Sequence, residues 1–289
     1  MADVELVLNA RAELGEAPVW DPGSRRLLWV DIARGLIHRF DPVTSGDESV
    51  DVGRSVGAAV PAADGGVVFA ADDGFWSMDM ATGRTERISE IDALPHVAMN
   101  DGTTDGAGRF WAGTKDADGR SPLGALYRLD ADRSVTRALT GVTISNGLGW
   151  SPDQRAMYYI DSATYGIDAF DMDPASGSIS NRRRLVDLPR EWGLPDGMTV
   201  DAEGFLWVAF WTGSSVRRLD PDGNAVSTVE LPVSLVTSCA FGGDELDDLY
   251  VTTARIGLSD EQLLKEPNAG GLFRLTPGVR GTPQRPYVT

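Results

Sequence analysis

Histidine, lysine and cysteine are scarce in this chain of 289 residues: it has two histidines, His38 and His96, two lysines, Lys115 and Lys265, and one cysteine, Cys239. A zinc site built on three imidazoles is therefore excluded, as is an internal disulfide. A Ser-His-Asp triad would need one of the two imidazoles, and no GxSxG elbow surrounds any serine. Neither a GxxxxGK(S/T) loop nor a GxGxxG fingerprint is present, which removes the usual phosphate cradles of nucleotide chemistry. What remains for chemistry is carboxylates, amides and a metal ion. Apolar runs such as the one around residues 56–63 fall far short of the ~20 residues that span a bilayer. The opening MADVELVLNARAE has no basic segment followed by an apolar stretch, so a cytoplasmic location is expected.

Positive charge is scarce too. The 26 Lys and Arg are outnumbered by 43 Asp and Glu, for a net charge of −17. Such a surface repels phosphate backbones and anionic lipid heads, so neither nucleic acid nor a membrane is expected as partner, and cations are favoured. With 42% hydrophobic residues the composition is that of an ordinary globular protein, expected to form one domain over 1–289, as a monomer or weak dimer.

What is abundant is glycine, 33 residues, set with 16 prolines into turn motifs between short runs rich in Val, Leu, Trp and Tyr. Such runs are strands joined by tight turns. A turn followed by an apolar strand recurs six times: DPGSRRLLWVD (21–31), ADGGVVFAA (63–71), DGAGRFWAG (105–113), SPDQRAMYYID (151–161), DAEGFLWVA (201–209) and GGDELDDLYVT (242–252). Its aromatic anchors, Trp29, Phe69, Trp111, Tyr159, Trp207 and Tyr250, are spaced by 40, 42, 48, 48 and 43 residues. That period predicts an all-β, six-bladed β-propeller. A β-sandwich with irregular repeats is the competing architecture. A further strand follows each of several anchors, as in LIHRFDP (36–42), GALYRLDAD (124–132), GIDAFDMDP (166–174) and SVRRLDPDG (215–223). The last unit ends at GGLFRLTP (270–277), one strand short, so the N-terminal VELVLN (4–9) is expected to close the ring and cover the open edge. Only SDEQLLKE (259–266), opened by an N-cap Ser, suggests a helix.

The innermost strand of a propeller blade lines the channel and precedes the anchor strand. Counting back 11 to 13 residues from the anchors reaches Glu16, Asn100, Asn146 and Asp196, with Ser238 in the sixth unit and only the small Gly57 and Ala58 in the second. Two carboxylates and two amides around one axis form a hard oxygen set that suits Ca²⁺, Mg²⁺ or Mn²⁺. The same residues could instead hydrogen-bond between blades or hold channel water. DADG (116–119) begins like a calcium loop, but its twelfth position is Tyr127 rather than Glu. His38 is expected at the surface, Cys239 as a small buried group, and Trp20, Trp150, Trp192 and Trp211 as packing between blades.

LGEAPVWD, NDGTTDGAGRFWAGT, GALYRLD, SNGLGWSPD, YYIDS, LPDGMTVDAEGFLWVA, TSCAFGG and LYVTTAR, in that order along essentially the whole chain, resemble the senescence marker protein, gluconolactonase and regucalcin family. The resemblance implies a six-bladed propeller with one divalent cation on its axis, Ca²⁺ foremost with Zn²⁺, Mn²⁺ or Mg²⁺ as alternatives, that hydrolyses sugar lactones. It places metal ligands at Glu16, Asn146 and Asp196, the general base at Asp196, and a substrate contact at Asn100; since a carboxylate tied to a cation is a weak base, a metal-bound hydroxide steered by Asp196 is the alternative base. A further acidic substrate contact falls on Asp118, with Asp116 next, and His96 is a candidate at the channel mouth. The family frequently has Arg two residues before the Asn, where this chain has Ala98, implying a broader or less polar substrate range. The competing functions are a non-catalytic calcium-binding propeller and a metal-dependent phosphotriesterase-like hydrolase.

Overall fold

Each aromatic anchor lies on the second strand of a four-stranded antiparallel sheet. The computed structural model describes residues 3–92, 94 and 96–288, and in it six such sheets follow one another in a ring. The innermost strands are Gly15–Asp21, Val56–Pro61, Val97–Thr104, Ser145–Trp150, Leu194–Val200 and Val236–Gly242. Each packs against the innermost strand of the next blade, and the sixth packs back on the first. The chain is thus a six-bladed β-propeller.

Burial falls from the axis outward. The innermost strands Val56–Pro61 and Ser145–Trp150 are buried at every residue, whereas the outermost strands Gly46–Asp51 and Ile179–Asp187 are largely exposed. The six anchors are at most 2% exposed, and aromatic pairs join the blades. Ring centroids lie 5.4 Å apart for Phe75 and Phe110, 6.1 Å for Trp111 and Trp150, 5.9 Å for Trp207 and Phe241, and 6.3 Å for Trp20 and Tyr250. Each fully buried aromatic of this kind contributes roughly 1.5–3 kcal/mol of transfer free energy. Trp20 and Trp150 therefore pack between blades, as expected.

The aspartates of the turn motifs explain part of the acidic excess. Asp105 accepts the Ala107 and Arg109 amides at 2.9 and 3.1 Å on one oxygen, and on the other the Arg109 Nε and Trp111 Nε1 at 2.6 and 2.9 Å. Asp201 repeats the scheme with Glu203, Phe205, Trp207 and Arg218. One carboxylate thereby closes the turn, fixes the anchor indole and neutralises itself with an Arg.

Ring closure is as the sequence implied. Glu5–Leu8 pairs antiparallel with Leu272–Leu275 as the outer strand of blade six, and Glu5 meets Arg274 across the ladder at 2.7 Å. The helix Asp260–Lys265 is inserted in the same blade, with Ser259 and Gln262 forming a reciprocal capping box.

Two features depart from the reading of the sequence. His38 is not a surface residue. It is 8% exposed, stacks on Trp29 with centroids 3.9 Å apart, and its Nδ1 lies 2.7 Å from Asp47 Oδ2. Trp29 and His38 are direct cross-strand partners, so the indole covers the imidazole. The segment beyond Leu275, which the repeat leaves unassigned, is also built into the ring. It crosses the base of the ring, bonding to Ala202 through the Arg280 carbonyl, to Thr103 through Gln284, and to both Pro61 and Ala63 through the backbone of Tyr287, whose ring is buried.

Candidate channel site

Every innermost strand breaks register at the same level. The shifts fall between Glu16 and Val19, Val56 and Ala58, Met99 and Gly102, Asn146 and Leu148, Pro195 and Met198, and Val236 and Ser238. A β-bulge sets an extra residue against its partner strand and re-aims the side chain at the kink. At these six kinks stand Glu16, Gly57, Asn100 with Asp101, Asn146, Asp196 and Thr237. Glycine follows Asn146 and Asp196 because the neighbouring backbone comes too close for anything larger. A Cβ on Gly147 would lie 2.8 Å from the Asp196 carbonyl, and one on Gly197 would lie 2.8 Å from Ser238 Cα. The SNG and PDG motifs are thus conditions for drawing blades four, five and six together.

The structure brings together four of the residues singled out from the sequence, Glu16, Asn100, Asn146 and Asp196, and adds Asp101; all five are at most 6% exposed. The Glu16 carboxylate accepts the Ala17 amide at 2.9 Å, and Asp101 accepts the Gly102 amide at 2.8 Å. Asn100 Nδ2 donates to the Ser145 carbonyl at 2.8 Å, tying blade three to blade four. Asn146 Nδ2 donates to Ser162 Oγ at 3.1 Å, while its Oδ1 is buried without a partner.

These acids resist ionisation. Burial raises the Glu16 carboxyl well above its usual range, with the negative charges of Asp196 and then Asp101 adding to the effect. Burial and then the Asp101 charge raise Asp196 likewise, opposed by Lys115 and by the Asn146 amide. Asp101 is pushed from 3.8 to about 6 by burial, against the pull of the Gly102 amide. Three carboxylates that repel one another in a desolvated space, with one ammonium in their field, mark a functional site on physical grounds.

Among the described residues, no three His, Cys, Asp or Glu side chains form a group that would hold a metal unaided. An oxygen donor other than a carboxylate would have to join any ligand set, and the amide oxygen of Asn146 is buried without a partner. Beneath the acids, Asp101, Ser238, Cys239 and Gln284 line a cavity of about 10 Å³, the order of a single water. The basal strap closes that end, which leaves the opposite mouth for a ligand.

Asp118 and His96 are placed differently. Both are exposed on the rim of blade three, where the His96 carbonyl accepts the Ala117 amide at 2.8 Å. Asp116, between them in the chain, is buried but spends one oxygen on the Arg120 and Ser121 amides at 2.9 and 3.0 Å, building the turn. Asp101 and Lys115 went unnoticed in the sequence. Asp101 is the one charged residue immediately following the channel positions, where the other blades carry Ala17, Ala58, Gly147, Gly197 and Cys239. That contrast was available as a signal.

Residues 14–255 match the family model described as SMP-30/Gluconolactonase/LRE-like region. Regucalcin of Danio rerio is 42% identical over 289 residues, spanning 99% of this chain and 98% of its own. A solved calcium-binding regucalcin from Agrobacterium tumefaciens superposes with a TM-score of 0.95 at 28% identity, covering 99% of this chain and 97% of that one. A luciferin-regenerating enzyme superposes at 0.92 with 32% identity and full coverage of both chains. The chain belongs to the SMP-30/gluconolactonase/LRE-like family.

Proposed function

We propose that the protein is a divalent-metal-dependent hydrolase of sugar lactones, opening the ring ester to the aldonic acid. The observation that carries this reading is the unpartnered Oδ1 of Asn146 beside acids whose ionisation is opposed by burial and by one another's charge. A hard cation relieves both conditions at once, since it supplies the missing partner and neutralises the carboxylates. The donor set fits Ca²⁺, and the described calcium binding of the Agrobacterium relative supports it. Family membership supports the lactone.

Glu16, Asn146 and Asp196 would hold the cation. When bound, it supplies Lewis-acid polarisation of the ester carbonyl and a more acidic water. The chain supplies the rest. Asp196 accepts a proton from the attacking water as that oxygen bonds to the carbonyl carbon, and returns it to the ring oxygen as the ester C–O bond breaks. A carboxylate shared with a cation is a poor base. Asp101 counters this, because its charge raises the proton affinity of Asp196. Asn100, fixed by its bond to Ser145, would offer its amide oxygen to a substrate hydroxyl.

The test is a panel of five- and six-carbon aldonolactones followed with a pH indicator, with and without chelator. Acid release that depends on added cation supports the reading. A thermal shift on adding Ca²⁺ without turnover of any lactone would show a calcium-binding protein instead.

A further inference from the structure

Of the two lysines, Lys265 pairs with Glu261 at 2.8 Å on the exposed helix of blade six. Among the described residues, Lys115 is spent on no such pair. It is half-buried near the end of the strand Phe110–Asp116, and its direct partner across the ladder is Ala98 on the innermost strand. Direct partners in an antiparallel pair stand on one face with Cβ atoms ~5 Å apart, so the methyl of Ala98 leaves the space beside the lysine stem open.

The direction of that face follows from Gly113, two residues earlier. A Cβ on Gly113 would run into the side chain of Ser145, so the face turns toward blade four. Asn100 leaves the innermost strand toward the same neighbour and donates to the Ser145 carbonyl, next to Asn146. Lys115 itself bridges to Ile144. Its side chain therefore starts on the face turned to the seam of blades three and four, the seam that Asn100 crosses, and its charge lowers both Glu16 and Asp196.

We propose that Lys115 is the specificity-determining residue of the channel mouth, an ammonium that donates to the hydroxyls of a polyhydroxylated lactone. The proposal rests on the hydrolase reading above. With the acids engaged by a cation, the three N–H donors of Lys115 would be left for a substrate at the mouth. The gap implied by Ala98 is then filled from the facing strand, and polar substrates are favoured rather than disfavoured.

The experiment uses cation-loaded protein with bound metal measured in every variant. Lys115→Met keeps the stem and removes the donors. The ratio of kcat/KM for glucono-1,5-lactone to that for δ-valerolactone, which has no hydroxyl, should fall by about 10- to 100-fold, the range for losing a charged hydrogen bond. The loss should sit in KM. The double variant Lys115→Met, Ala98→Arg should recover most of the ratio, since the guanidinium starts from the neighbouring position on the same face. An unchanged ratio overturns the proposal, as does an equal fall on both lactones or loss of the metal in Lys115→Met. If wild type turns over neither lactone, the hydrolase reading fails and calorimetry decides the role of Lys115. A tenfold weaker affinity of the variant for glucono-1,5-lactone upholds it, and equal affinity refutes it.

Discussion

Asp101→Asn should make the metal-free protein more stable at neutral pH. The side chain keeps its shape and an oxygen to accept the Gly102 amide, which lies at 2.8 Å, but loses the charge. The native Asp101 carboxyl is pushed from 3.8 to about 6. Between those values the folded state holds a proton that the unfolded chain has released, so wild-type stability falls as pH rises through the window. A displacement of this size corresponds to about 3 kcal/mol, fully expressed above pH ~6 and absent below pH ~4. Glu16 and Asp196 are raised as well and act in the same direction. The turn aspartates Asp79, Asp153 and Asp220 act oppositely: backbone and side-chain donors lower them, so their contribution is lost as pH falls. Comparing variant with wild type at each pH cancels that background. Urea unfolding of metal-free protein at pH 4 and pH 7.5 should show equal stability at the first and a gain for Asp101→Asn at the second. Saturating Ca²⁺ should shrink the gain, because the cation neutralises the same acids. A variant no more stable than wild type at pH 7.5 would refute the electrostatic account of the site.

Three further outcomes follow. Asp196→Asn should lower kcat by at least ~10², the low end for loss of a positioned proton acceptor, with bound metal measured in the same sample to separate base from ligand. Deleting residues 1 to 9 removes the strand Glu5–Leu8 and bares the edge of Leu272–Leu275, so the product should aggregate or lose cooperative unfolding; an unchanged melting curve would contradict the closure. Tyr287→Ala should cost about 3–5 kcal/mol by urea unfolding, as for other buried aromatics, since the ring is 1% exposed and its hydroxyl donates to the Asp130 carbonyl at 2.8 Å.

The ring was legible because each blade repeats one turn and one aromatic, and Trp29, Phe69, Trp111, Tyr159, Trp207 and Tyr250 all stand where that repeat puts them. The same count reached Glu16, Asn100, Asn146 and Asp196, since equivalent positions in a ring face one axis. It sampled one residue per blade, and so missed Asp101, the neighbour that the bulge of blade three also draws in. Lys115 was out of reach for a different reason: it lies on a second strand, and its place opposite Ala98 depends on register, which no periodicity reports. His38 lies on a third strand, where polar residues are usually solvated, and its burial depends on a cross-strand pairing with Trp29 that no periodicity reports. The basal strap carries no repeat at all. Its backbone bonds to Pro61, Ala63 and Gly108 are long-range contacts of an irregular segment.

The central claim is that one cation, held by Glu16, Asn146 and Asp196, is required for lactone hydrolysis. Its most direct measurement is glucono-1,5-lactone turnover as metal-free protein is titrated with Ca²⁺, with bound metal determined at each point. The account predicts activity that starts near zero, rises in proportion to bound cation and saturates at one per chain. Full turnover before any cation is bound would contradict it.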